Sequence, residues 1–158
     1  MKAKLLALAL VSAGIVSSSA VMAASTTHVL NVSASVTGNC KFNTAGPTAL
    51  AFGAIDPSSV VNATATASVT FRCTTGTTSS MSSDDGLNET GVGAPRMKDA
   101  GANYLPYTMA LVGAAQAGTG FGAGQDKTLT VNGTVAVVDF ANAAAGAYSD
   151  TVTLTIAP

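Results

Sequence analysis

The chain has 158 residues, of which only 9% are charged: seven Lys and Arg stand against eight Asp and Glu, with one His, two Cys and no Trp. Charge this sparse makes no basic stripe for phosphates, so nucleic acid and anionic membranes are poor candidates for partners. The abundance of Thr, Ser, Asn, Gly and Ala suits a secreted β protein and is a poor match for an enzyme cleft rich in ionisable groups.

Met1-Lys2-Ala3-Lys4 is a short basic start, residues 5–16 form an apolar run, and Ser17-Ser18-Ser19-Ala20-Val21-Met22-Ala23 ends in small residues. This is the pattern of a secretory signal peptide, residues 1–23, cut after Ala23. The run is too short to span a bilayer, and no second apolar run follows, so the mature chain is expected to be exported and soluble. The 158 residues less these 23 leave 135, enough for one domain with a core. Five basic and eight acidic side chains remain, a balance of −3.

Directly after the leader comes His28-Val29-Leu30-Asn31-Val32-Ser33-Ala34-Ser35-Val36. Leu30, Val32, Ala34 and Val36 fall on one face of a strand, and Asn31, Ser33 and Ser35 on the other. A terminus needs no apolar face to stay soluble, so this alternation asks for a partner sheet. The partner is either this molecule's own sandwich or that of the next molecule, and periodicity alone does not choose between them.

Gly38-Asn39 breaks the pattern before Cys40-Lys41-Phe42. Asn43-Thr44-Ala45-Gly46-Pro47 is turn chemistry, followed by Leu50-Ala51-Phe52 and a further break at Gly53 and Asp56-Pro57. Residues 62–73 give the longest alternation, with Ala63, Ala65, Ala67, Val69, Phe71 and Cys73 on one face, as in a half-buried antiparallel strand. Cys40 and Cys73, 33 positions apart, form the only pair of cysteines and read as one disulfide in an oxidising compartment.

Another strand is predicted over residues 77–81. Residues 84–103 read as a long loop with a short strand at Arg96-Met97-Lys98, and residues 104–112 as a strand alternating through Tyr107, Met109 and Leu111. Residues 113–124 form a Gly/Ala loop whose Phe121 is expected to plug one end of the core. Asn132-Gly133, between the alternations 127–131 and 134–138, predicts a tight hairpin. An Ala-rich connection with room for one helical turn leads to a last strand over 148–156, with Tyr148, Val152, Leu154 and Ile156 on its core face. Short strands at this spacing predict an all-β, immunoglobulin-like antiparallel sandwich.

Reactive chemistry has little to stand on. His28 has no neighbour in sequence to orient it as a base. Asp84, Asp85 and Glu89 lack calcium-loop spacing, and no serine sits in a Gly-x-Ser-x-Gly elbow. Two Cys and one widely separated His make no tetrahedral metal site. Neither an enzyme nor a cofactor is expected.

Four features in order resemble the spore coat protein U domain family, found in subunits of archaic chaperone-usher pili. They are the alternating strand before Cys40; Leu50-Ala51-Phe52-Gly53 after it; Val69-Thr70-Phe71-Arg72-Cys73-Thr74 closing the long strand; and the ending Gly146-Ala147-Tyr148-Ser149-Asp150-Thr151-Val152-Thr153-Leu154-Thr155-Ile156. The chain departs from the pattern in finishing Ala157-Pro158, where many relatives finish in an aromatic residue.

The resemblance implies a donor strand in residues 24–37, with Leu30, Val32, Ala34 and Val36 as its pocket residues, followed by an incomplete sandwich in residues 38–158. It also implies a periplasmic chaperone, an outer-membrane usher and a head-to-tail polymer of identical or related subunits in a surface fimbrium serving adhesion and biofilm formation. An open groove between sheet edges is an aggregation hazard, and an added strand satisfies the edge while alternate side chains fill pockets. A groove and a donor on every subunit give a contact that does not close on itself. The competing reading is a monomeric secreted coat or binding protein whose sandwich completes itself. A tip adhesin would carry an extra binding domain and need no donor.

Overall fold

The computed structural model describes residues 22–158, so the leader expected over 1–23 lies almost wholly outside the described residues. The chain divides into two units, Met1–Ala34 and Ser35–Pro158. In the first, residues 22–34 carry neither strand nor helix. The second contains β1 (Cys40–Phe42), β2 (Ala63–Cys73), β3 (Ser80–Ser83), β4 (Arg96–Lys98), β5 (Tyr104–Pro106), β6 (Thr108–Val112), β7 (Lys127–Val135), one helical turn α1 (Val137–Phe140) and β8 (Leu154–Ala157).

Strands β1, β2, β7 and β6 form, in that order, an antiparallel sheet; β3 pairs with β8 and β4 with β5, also antiparallel. The alternation of β2 turns Val69, Phe71 and Cys73 inward to meet Leu129 and Val131 of β7, and Met81, Leu154 and Ile156 pack on this cluster from the β3–β8 pair. A second cluster joins Val135 and Phe140 to Leu105 and Tyr107, with Met97, Tyr148 and Val152 against it. The architecture is an all-β sandwich of one four-stranded layer and two ribbons.

The disulfide follows from register. Cys40 lies directly opposite Cys73, with their Cα atoms 4.1 Å apart, and the Thr74 amide donates to the Asn39 carbonyl at 2.9 Å beside the bridge. That places the cysteines in a non-hydrogen-bonded pair, where side chains approach most closely.

Three expectations need correction. Asn132-Gly133 is no hairpin: β7 runs straight through it, paired with β2 on one side and β6 on the other. Gly133 serves close approach instead, since a Cβ there would lie 2.8 Å from both Leu50 Cδ2 and Phe52 Cζ. The strand expected over 104–112 breaks at Tyr107, where the chain passes from the β4–β5 ribbon to the edge of the main sheet; the Tyr107 amide donates to the Pro95 carbonyl and its hydroxyl to Asp150. Phe121 does not plug the core. It is 38% exposed beneath the Lys41 ammonium, 5.6 Å from the ring centre, while its carbonyl accepts from Arg72.

The loop carrying Phe121 docks through Gly118, whose amide donates to the Thr77 carbonyl and whose carbonyl accepts from Gly76. A Cβ at Gly118 would lie 2.5 Å from Cys73 Cβ and from the Cys73 and Thr74 carbonyl oxygens. Backbone cannot yield as a side-chain tip can. Gly118→Ala is therefore expected to destabilise the body by about 1–3 kcal/mol, read from its urea midpoint. A midpoint equal to that of the parent would contradict this packing.

Candidate functional site

The turn and breaker residues between Asn43 and Pro57 keep the 44–61 segment out of strand conformation, and this leaves part of the sheet uncovered. β1 pairs with β2 only from Phe71 to Cys73, and just beyond it Asn43 and Thr44 reach the Thr70 backbone. From Ala63 to Val69 the outer edge of β2 has no strand partner among the described residues. Across the sandwich β8 is bonded, among the described residues, on one side only, to β3.

Between these edges lies an open groove, mainly apolar in its first chamber and mixed in its second. One chamber of about 340 Å³ is lined by Leu50, Phe52, Val69, Val131, Met109 and Val152 among others. A second hollow of about 530 Å³ extends it, lined by Phe42, Val69, Val152 and Leu154 together with the polar Thr44 and Thr151. Val69 is the shared floor, and Asp150, Val152 and Leu154 line both volumes.

Of the final-strand residues singled out from sequence, Tyr148, Val152, Leu154 and Ile156 are each half-buried in one phase with exposed neighbours. Only Leu154–Ala157 is strand, however, which shortens the 148–156 expectation. Upstream, Ser149 bridges to Lys98, and the Thr153 amide bonds the Asp84 carboxylate at 2.8 Å. The Asp84 amide in turn donates to the Thr153 carbonyl at 3.1 Å, so one backbone bond of the ladder persists and the carboxylate takes the other. The residue that sequence reasoning passed over is Asp150, in the same phase as Tyr148 and Val152. Its carboxylate accepts from the Leu87 amide (3.0 Å), the Asn88 side chain (3.1 Å) and the Tyr107 hydroxyl (2.9 Å), fastening the 84–94 loop to one wall of the groove. Burial, and then the Asp150 hydrogen bond, push the Tyr107 phenol above its ordinary range, so it stays a neutral donor. Its charged-residue identity hid this role, because an apolar stripe invites attention only to apolar members.

The two aspartates of the acidic loop accept from backbone amides: Asp84 from Gly86 within the loop and from Thr153 of the C-terminal segment, and Asp85 from Gly93. Among the described residues no group of three or more His, Cys, Asp or Glu is placed to hold a metal ion. The Thr153 hydrogen bond holds the Asp84 carboxyl below the usual carboxylate range. Its contribution is present above the ordinary carboxylate pKa and is lost as pH falls through the lowered value. Acidification below about pH 4 should therefore speed exchange of the Thr153 amide hydrogen, relative to β7 amides, once intrinsic rates are corrected. A protection ratio constant down to the acid limit of folding would count against this tether.

The residues read as pocket residues of the donor form no strand and are exposed. Leu30 is 80% exposed, and Val32 and Val36 are each 85% exposed; Ala34 and His28 are exposed as well. Among the described residues no helix is long and apolar enough to cross a membrane.

A family model described as the Spore Coat Protein U domain matches residues 26–155. No curated protein matches the chain. Among solved structures, the CsuC-CsuE chaperone–tip adhesion subunit pre-assembly complex from archaic chaperone-usher Csu pili of Acinetobacter baumannii aligns with a TM-score of 0.46 and 18% identity. The alignment covers 77% of this chain and 40% of that one.

Proposed function

Because the chain belongs to the Spore Coat Protein U domain family, we propose that it is a structural subunit of a surface pilus built by the chaperone-usher route. A periplasmic chaperone covers the groove after export, and at the outer-membrane usher the N-terminal strand of the next subunit replaces it. Residues 24–37 are the donor and residues 38–158 the acceptor body. The filament serves adhesion and biofilm formation at the cell surface.

One observation carries this reading: an apolar groove lies open between two unpaired strand edges in a chain that also exposes an unpaired apolar alternation at Leu30, Val32, Ala34 and Val36. Burying Leu30, Val32 and Val36 is worth about 5–9 kcal/mol at the usual 1.5–3 kcal/mol per side chain. Main-chain hydrogen bonds along the strand add affinity, and the pockets for alternate side chains give specificity. Buried along its whole length, such a strand resists detergent in the cold.

Purified mature protein is therefore expected to run as a ladder in detergent without heating and to collapse to monomer on boiling. Monomer under both conditions would support a self-completed sandwich and sink the proposal.

A further inference from the structure

Resting on the donor-strand reading above, we propose that Thr74 and Thr77 are positioning residues that hold residues 37–39 in line with β1, and that this denies each molecule its own donor strand. Only Thr37, Gly38 and Asn39 separate Val36 from Cys40. Folding back is within reach of the far half of the strand, since a two-residue hairpin turn at Gly38-Asn39 would set Val36 beside Lys41 and carry residues 29–33 past Thr44 to the groove. A strand on so short a tether would meet its own groove at an effective concentration in the millimolar range, far above that of neighbours at micromolar concentration. Filament growth therefore requires a geometric bar to self-insertion.

Each of the three linking residues is engaged. Asn39 extends the β1–β2 ladder by one pair, its carbonyl accepting from the Thr74 amide at 2.9 Å and its amide donating to Thr74 Oγ1 at 3.1 Å. The same hydroxyl lies 3.4 Å from the carbonyl oxygens of Thr37 and Asn39, either of which takes its single proton. Gly38 packs so closely on Thr77 that a Cβ would lie 2.9 Å from Thr77 Oγ1 and 3.3 Å from Thr77 Cγ2. Thr77 is itself fixed, its amide donating to the Thr74 carbonyl and its carbonyl accepting from Gly118.

The Cys40–Cys73 bridge anchors the base of this arrangement. From Cys40 the chain runs on to Phe42 and Thr44, which line the groove. Residues 37–39 leave at the opposite end of β1, so a reversal would have to occur in the residues that Thr74 and Thr77 hold.

The test exports the full chain with Thr74→Val and Thr77→Ala together, and scores unboiled ladder against compact monomer over a range of protein concentrations. Limited proteolysis of residues 29–36 in the monomer is the second readout. The parent should form ladders, whereas the double variant should raise the compact-monomer share about tenfold, independent of concentration, with residues 29–36 protected. Thr74→Ser, which keeps the hydroxyl, should restore the ladder. If Thr74→Val does not accumulate, Thr77→Ala alone, which removes no hydrogen bond of the ladder, carries the test. Unchanged ladders in the variants overturn the positioning role while leaving donation intact. A parent that is already a closed monomer with residues 29–36 protected overturns both.

Discussion

Val32→Asp is expected to abolish the filament and leave the body of the molecule folded. Val32 is 85% exposed in the isolated chain, so a carboxylate there meets water and costs the molecule's own fold little. If the strand enters a neighbour's groove, whose lining includes Asp150 and no Lys or Arg, the same carboxylate would have no cation to pair with. An unpaired buried charge costs several kcal/mol, enough to cancel most of the gain from the three large donor side chains. The variant should therefore match the parent's urea midpoint as a monomer, be recovered with its chaperone and yield no ladder. Degradation before chaperone binding would mean that the charge strikes the molecule's own core, and the strand would then belong to its own domain.

Cys73→Ser should lower the stability of the body by about 3–5 kcal/mol. Closing a loop of 33 residues contributes about 3–4 kcal/mol by chain-entropy arguments. Cys73 is also fully buried beside Phe71 and Leu129, so the serine hydroxyl would need a partner in an apolar cluster. At an m-value of about 1–3 kcal/mol/M, the urea midpoint should fall by about 2 M. A shift below about 0.5 M would show that the bridge is incidental to stability. Because the bridge also anchors the exit of residues 37–39, yield and assembly should fall together.

What the chain revealed in advance depended on whether the governing interaction was local. The β2 alternation from Ala63 to Cys73 was legible because one buried face imposes a period of two, and the Arg96–Lys98 strand because it is short and bounded by loop residues. Asn132-Gly133 misled because turn chemistry is a local preference. Here β2 and β6 claim both edges of β7, while Leu50 and Phe52 fill the space above Gly133. The break at Tyr107 was hidden for a similar reason: its causes, the Pro95 carbonyl and the Asp150 carboxylate, lie far away in sequence.

The groove belongs to the same class. Its walls come from residues 42–52, from β2, from Met97, Tyr107, Met109 and Val131, and from residues 148–154, and no single stretch of sequence announces an opening between them. The alternation at Leu30 to Val36 was plain, but a period of two names a face and never its partner. Asp150 shows the limit from the other side, as a charged residue on an inward phase whose partners lie in loops 62–63 positions away and at Tyr107.

The central claim is that the strand around Val32 fills the groove of another molecule. A photo-reactive benzoylphenylalanine in place of Val32, with heavy-isotope and ordinary chains mixed before assembly, tests it directly. The account predicts cross-links from position 32 to residues 42–52 or 148–154, with heavy-to-light pairs among them. Cross-links confined to chains of one isotope, joining position 32 to the groove of the same molecule, would contradict it.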